Sequence, residues 1–458
     1  MGFHGDTAWP VPGGRLHVVG LAGVGMNAVA QVLAGRGYSV TGSDRLADQG
    51  PSVPVLQVLA GQGIGLHPQD GSGIGPDTRG VVVSSAIEPD NPDLLAARAR
   101  GCPVFHRAEA LAAVIGTAPC IAVAGTSGKT TVTGLTGWLL TELGMAPHVV
   151  NGGAVLNWKS ATTVGNVRLG SSPYWVIEAD ESDRSLLRFH PERAVILNIT
   201  RDHFGLDETV ALFAAFAAQV REEILCGPGV RELLQATGLP LPRLTPVVDD
   251  ELPTLPDSLP GRHNRENARM AVALAEAYGY ARDRAWAALA RFRGIERRLE
   301  LVGTADGVAV YDDYAHNPAK IAAAWSAVAE RASGVRAIWR PHGFGPLAAM
   351  ADELAAVFHA VCRPGDLLYL LPVYYAGGTA TARVTSEQLA ERLQAEGLPV
   401  RHRATLDDVE AELLAETGAG QAVLCMGARD PQWPVFARRL VARLRERTPS
   451  AGAGGDVT

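Results

Sequence analysis

The stretch from Cys120 to Thr131 constrains this chain more than any other. An apolar run, Cys120-Ile121-Ala122-Val123-Ala124, enters the glycine-rich turn Gly125-Thr126-Ser127-Gly128-Lys129-Thr130-Thr131, and an amphipathic run follows to Leu140. Strand, turn and helix in that order belong to an open α/β sheet. The backbone N–H groups of such a turn and the positive end of the helix form a phosphate cradle. Lys129 adds a point charge for terminal phosphates, and Thr130 offers a hydroxyl to Mg²⁺. The long form of the loop has a glycine where this chain has Val123, so this is the short form Gly-x-x-Gly-Lys-Thr. ATP with Mg²⁺ is the expected ligand, cradled by Gly125, Thr126, Ser127, Gly128, Lys129, Thr130 and Thr131.

One such sheet does not account for 458 residues, which predict about three domains. An apolar fraction of 47% supplies a core for each. The net charge of −7, with Lys and Arg dispersed, argues against a nucleic-acid partner. The cysteines (Cys102, Cys120, Cys226, Cys362, Cys425) are odd in number and scattered, and read as reduced thiols of a cytoplasmic protein. No uninterrupted apolar stretch reaches spanning length, and no basic segment precedes an apolar one at the N-terminus, so no membrane segment is expected. Residues 451–458 read as a disordered tail. Monomer and homodimer are equally compatible with the sequence.

The first block, 1–115, opens with the strand Leu16 to Val19, which turns through Gly20, Gly23 and Gly25 into a helix from Met26 to Arg36. A second strand, Tyr38 to Gly42, ends at Ser43-Asp44. This is a Rossmann-like start, with an acidic residue placed for a ribose or sugar hydroxyl. The glycine spacing is not the dinucleotide one, so either a diphosphate ligand of another kind or plain helix–strand packing explains it. A nicotinamide-dependent oxidoreductase is disfavoured on that spacing. The strand Gly80 to Val83 delivers Ser84, Ser85 and Ala86 to a carboxyl edge, where open sheets bind ligands.

The second block, 116–301, carries the phosphate loop and two further strand ends. Tyr174 to Ile177 leads into Glu178-Ala179-Asp180-Glu181-Ser182-Asp183, and Ala194 to Ile199 leads into Thr200-Arg201-Asp202-His203. Residues 208–226 show a helical pattern, and 236–260 read as an irregular connection. Glu178 and His203 are candidate Mg²⁺ ligands beside Thr130, although an acidic turn is also satisfied by solvent and His203 equally by an orienting role. Asn264 and Asn267 share a helix face and suit an adenine edge; a polar helix start explains them as well.

In the third block, 302–450, the strand Val308 to Tyr311 ends in Asp312-Asp313-Tyr314-Ala315-His316-Asn317-Pro318, with Pro318 at a helix start. Asp313 is placed to hold a ribose hydroxyl, and His316 or Asn317 to touch phosphate. Strands at Val335–Trp339, Asp366–Leu371 and Ala422–Met426 complete a second Rossmann-like α/β sheet.

These segments, in this order from residue 15 to about 445, resemble the Mur ligases, the ATP-dependent amide-forming enzymes of peptidoglycan synthesis. The match rests on Gly20 to Met26, Gly42-Ser43-Asp44, Ser84 to Ile87, Gly125 to Thr131, Glu178 to Asp183, Asp202-His203, Gly261 to Asn264 with Asn267, and Asp312 to Tyr314 with His316. The resemblance implies a UDP-sugar, UDP-N-acetylmuramate, on the first block through Gly23, Val24, Gly25, Met26, Ser43, Asp44, Ser84, Ser85 and Ala86. It implies ATP on the second, with Asn264, Asn267, Arg298 and Asp313 completing the nucleotide site. Lys129, Glu178, His203 and His316 become catalytic candidates, and Thr130, Glu178 and His203 the Mg²⁺ ligands. The amine implied is L-alanine or another small amino acid. Ser127, Asn27, Asn317 and residues 152–170 depart from the alanine-adding pattern, which leaves two alternatives: a tripeptide-adding recycling ligase and a non-catalytic homologue.

Overall fold

The computed structural model describes residues 9–48, 53–201, 204–247, 254–374 and 384–447. Asp202, His203 and the tail 451–458 lie outside the described residues. Among the described residues the strands form three sheets. The first two sheets lie in one compact unit (residues up to 254 together with 266–293), and the third lies in another (255–265 together with 294 onward).

The first sheet contains β1 (Arg15–Val19), β2 (Ser39–Ser43), β3 (Gly65–His67), β4 (Thr78–Val83) and β5 (Val104–His106), in the order β3-β2-β1-β4-β5. All its pairings are parallel. The chain winds outward from β1 through β2 to β3, then restarts at β4 on the other side. The switch point therefore falls between β1 and β4, with the loops Gly20–Gly25 and Ser84–Ala86 at their carboxyl ends, the position where open α/β sheets bind ligands.

The central sheet holds β6 (Cys120–Ala124), β7 (His148–Val150), β8 (Val167–Arg168), β9 (Trp175–Glu178), β10 (Arg193–Ile196), β11 (Glu223–Cys226) and β12 (Arg243–Pro246). Its order is β12-β11-β10-β6-β9-β7-β8, with only β7 and β8 antiparallel. Every residue of β6 is buried, as a strand covered on both faces requires. Because β9 and β10 flank β6, the loops after all three open on one edge.

The third sheet comprises β13 (Glu300–Ala305), β14 (Val308–Asp313), β15 (Val335–Trp339), β16 (Leu367–Leu370), β17 (Val400–His402) and β18 (Ala422–Met426), ordered β13-β14-β18-β15-β16-β17. The β13–β14 hairpin is antiparallel and the rest parallel. Trp325, Trp339 and Phe358 pack edge-on beneath it. The architecture is the expected three-domain α/β arrangement.

Two readings of the sequence are corrected. The helical pattern at 208–226 divides into a helix, Leu206–Ala217, and the strand β11. A short apolar run such as Ile224-Leu225-Cys226 has no period that separates buried strand from helix. The connection at 236–260 contributes β12 to the sheet edge. In addition, the helix Phe344–Val361 has the length and mean hydropathy (1.2) of a membrane span. Its face Leu347, Leu354, Ala355 and Phe358 is buried in the core of the third sheet.

Candidate active site

The phosphate loop follows β6. Gly128 has φ +87°, and a Cβ there would lie 2.7 Å from Asn267 Oδ1, so the position needs glycine for both conformation and space. The helix Lys129–Glu142 starts without a side-chain cap. A helix start of this kind is where phosphate oxygens can bind. Asn198, at the end of β10, braces the loop: its Oδ1 accepts from Thr126 Oγ1 (2.7 Å) and Ser127 N (2.9 Å), and its Nδ2 donates to Ser127 O (3.1 Å). Thr126 is thus committed to the loop's shape, bonding Thr200 as well.

Lys129 Nζ donates to Gly125 O at 2.8 Å and lies 2.7 Å from Glu181 Oε2. Burial would lower its pKa, but Glu181, Asp180 and Glu178 outweigh that and hold it above the ordinary value. Burial pushes the Glu181 carboxyl up despite Lys129. Thr130 Oγ1 donates to Glu178 Oε1 at 3.1 Å, while Glu178 Oε2 accepts from Gly152 N at 2.8 Å. A hydroxyl and a carboxylate side by side are hard oxygen donors that suit Mg²⁺. His203, the expected third ligand, lies outside the described residues.

At the carboxyl edge of the first sheet the expected ligand residues fall in different settings. Gly23, Val24 and Gly25 are at least partly exposed at the uncapped start of the helix Val24–Gly35. Met26, expected at the ligand, is a core residue. Ser43 is buried, its hydroxyl bonded to Asp93. Asp44 accepts from Ala22 N (2.8 Å) and Leu46 N (2.9 Å), so it shapes the glycine loop. Ser85 and Ala86 are exposed and Ser84 half-buried. A residue that no motif announced stands beside this loop. Arg107, directly after β5, places Nη1 2.8 Å from where a Gly25 Cβ would be, and its Nη2 pairs with Asp183 at 2.8 Å and Asp180 at 3.4 Å.

At the carboxyl edge of the third sheet, Asp313 accepts from Leu299 N (2.6 Å) and Ala315 N (2.7 Å). Arg298 stacks over Tyr314, 5.4 Å from its ring centre. Asn317 caps the helix Pro318–Ala329 through Lys320 N at 3.0 Å. The cap uses the Asn317 oxygen and not its amide donors. Asn264 donates to Pro260 O at 2.8 Å, which ties one of its amide donors to its own helix start.

His316 Nδ1 faces Tyr314 O at 3.0 Å, a contact only a donor makes, so Nε2 carries the lone pair in the neutral ring. Burial lowers its pKa to about 4. The unfolded chain takes up a proton that the folded chain refuses, so stability is lost as pH falls from about 6.5 through about 4. His316→Asn is expected to lose less stability than the parent on going from about pH 7 to about pH 5. Urea midpoints at the two pH values check this, and equal losses contradict it.

Three family models match in chain order: the Mur ligase catalytic domain over residues 15–118, the Mur ligase middle domain over 123–218 and the Mur ligase glutamate ligase domain over 297–429. The chain belongs to the Mur ligase family. With that membership comes ATP-dependent amide-bond formation in peptidoglycan synthesis. The UDP-N-acetylmuramate–L-alanine ligase of Novosphingobium aromaticivorans is 34% identical over 486 residues, covering 94% of this chain and 98% of that protein. The enzyme of the same name from an Arthrobacter species is 36% identical over 441 residues, covering 89% and 90%. In fold, the chain is similar to the UDP-N-acetylmuramate–alanine ligase of Thermotoga maritima, with TM-score 0.77 at 23% identity over 95% of this chain and 100% of that one. A murein peptide ligase of Psychrobacter arcticus follows at TM-score 0.65 and 22% identity, over 94% and 99%.

Within this Mur ligase, sequence reasoning overlooked Asn198 and Arg107. Asn198 ends a recognised strand, which was the available signal. Arg107 had none, because a single basic residue after a short strand forms no pattern.

Proposed function

We propose that this Mur ligase joins L-alanine, or another small amino acid, to the lactyl carboxylate of UDP-N-acetylmuramate in the cytoplasm, forming ADP and phosphate. The observation that carries the reading is the convergence of Lys129, Thr130 and Glu178 from the adjacent strands β6 and β9. The relatives of that name, alike over nearly the whole chain, support the choice of substrate.

A carboxylate and an amine do not condense in water without a leaving group. In the proposed route a carboxylate oxygen attacks the γ-phosphorus of ATP, the bond to the bridging oxygen breaks, and ADP departs from an acyl phosphate. The amine nitrogen attacks the carbonyl carbon, sheds its proton, and the tetrahedral intermediate expels phosphate. Lys129 neutralises charge on the transferring oxygens and so stabilises the transition state. Thr130 and Glu178, with His203 as the third candidate, would hold Mg²⁺, which would supply Lewis-acid neutralisation of the same charge. The proposed division of labour places the UDP-sugar on 1–115, ATP on 116–301 and the amine with 302–450. Exclusion of water matters, because an acyl phosphate hydrolyses readily.

The test is phosphate release with ATP, Mg²⁺ and UDP-N-acetylmuramate while the amine is varied. Release that depends on both the UDP-sugar and L-alanine is expected. Release only with a tripeptide reassigns the amine, as the departures at Ser127 and Asn317 would allow, and none with any amine identifies a non-catalytic homologue.

A further inference from the structure

Ligation requires two anions to meet, the carboxylate of the UDP-sugar and the γ-phosphate of ATP. Their mutual repulsion must be offset on both sides. Lys129 faces the phosphate cradle, hydrogen-bonded to Gly125 O within it. The carboxylate's counter-charge is a separate question.

Arg107 opens the helix Arg107–Ile115 at the carboxyl end of β5, on the ligand edge of the first sheet. It is the link between two loops. Nη1 lies over Gly25, 2.8 Å from the position of a Cβ, so any side chain there would collide with the guanidinium. Its hydrogen bonds to the acidic segment, to Asp183 (2.8 Å) and Asp180 (3.4 Å), run from Nη2. A guanidinium has five donors in a rigid fork, so the Nη1 side remains turned toward the glycine loop. The side chain is 25% exposed. Burial opposes its charge, yet Asp183, Asp180 and Glu178 together hold the group firmly protonated. His106 Nε2 lies 3.6 Å from the same Asp183 oxygen.

We propose that Arg107 binds the lactyl carboxylate of the UDP-sugar through its Nη1 edge, using Asp183 and Asp180 as the fixed support that aims it. The proposal rests on the function assigned above and names the residue that presents the nucleophilic carboxylate to the phosphate loop. A charge-assisted contact from Nη1 also selects for the substrate that has the carboxylate.

Calorimetric titration with UDP-N-acetylmuramate and with UDP-N-acetylglucosamine tests it, since the second has the same nucleotide and diphosphate but no lactyl carboxylate. Arg107→Ala combined with Asp183→Asn avoids a stranded buried carboxylate. This double variant is expected to bind the muramate roughly 10- to 100-fold more weakly than the parent, with the glucosamine changed by less than about twofold. An equal loss for both ligands would assign Arg107 to the diphosphate and overturn the proposal. No loss for either would make it a structural ion pair and overturn it too. If the double variant does not fold, Arg107→Lys reads the same difference: a reduced preference for the muramate supports the assignment and an unchanged preference overturns it. Failure of the parent protein to bind UDP-N-acetylmuramate at all would instead overturn the proposed function.

Discussion

Lys129→Ala is expected to lower the ligation rate by about 10²- to 10³-fold, because in the proposed mechanism it deletes the charge that meets the phosphoryl oxygens. The structure adds a consequence that a solvent-lined loop would not have. The Lys129 side chain is only 13% exposed and Glu181 only 2%, so the variant strands a buried carboxyl group. Glu181, already pushed up by burial, then takes a proton more readily. Removing one partner of a buried pair destabilises more than the pair's net worth. Lys129→Ala should therefore lower the urea midpoint, and adding Glu181→Gln should recover much of it without restoring activity. Steady-state kinetics and urea titration on the three proteins separate the two effects. Recovery of ligation in the double variant would mean that Lys129 acts through Glu181 and not on phosphate.

Glu178→Gln is the second large effect expected. Glu178 accepts from two donors at once, Thr130 Oγ1 and Gly152 N. An amide offers one acceptor oxygen, so its NH₂ must face one of those donors. The variant should lose Mg²⁺ affinity and activity, by about 10²-fold at limiting Mg²⁺. The loss should shrink as Mg²⁺ is raised, while binding of UDP-N-acetylmuramate to the first sheet stays unchanged. A shifted pH profile without any Mg²⁺ dependence would instead give Glu178 an acid–base role.

The parts of this site that were legible in the sequence are those where one short segment carries both geometry and chemistry. Gly125 to Thr131 is such a segment: strand, turn and helix are local, and Gly128 must be glycine for its own φ. The Glu178–Asp183 segment was legible as a strand end, but the partner of each carboxylate was not. Whether Glu181 or Asp183 meets Lys129 depends on β9 lying beside β6, a pairing set by packing. Met26 and Ser43 show where side-chain placement was not legible. Both stand inside a ligand motif, yet an apolar side chain at a helix start turns to the core and a short hydroxyl finds the nearest buried carboxylate, here Asp93. Arg107 illustrates what pattern reading lacks, since its significance comes from Gly25 and Asp183, far from it along the chain. The split of 208–226 into helix and strand likewise turned on which run paired with β10.

The central claim is that the carboxylate is activated by phosphorylation on this protein. UDP-N-acetylmuramate labelled with ¹⁸O in its lactyl carboxylate tests it directly, by mass spectrometry of the phosphate released during ligation to L-alanine. Attack by the carboxylate followed by expulsion of phosphate carries one labelled oxygen into each phosphate, and the amide product keeps the other. Unlabelled phosphate would show that ATP is cleaved by water and would contradict the account.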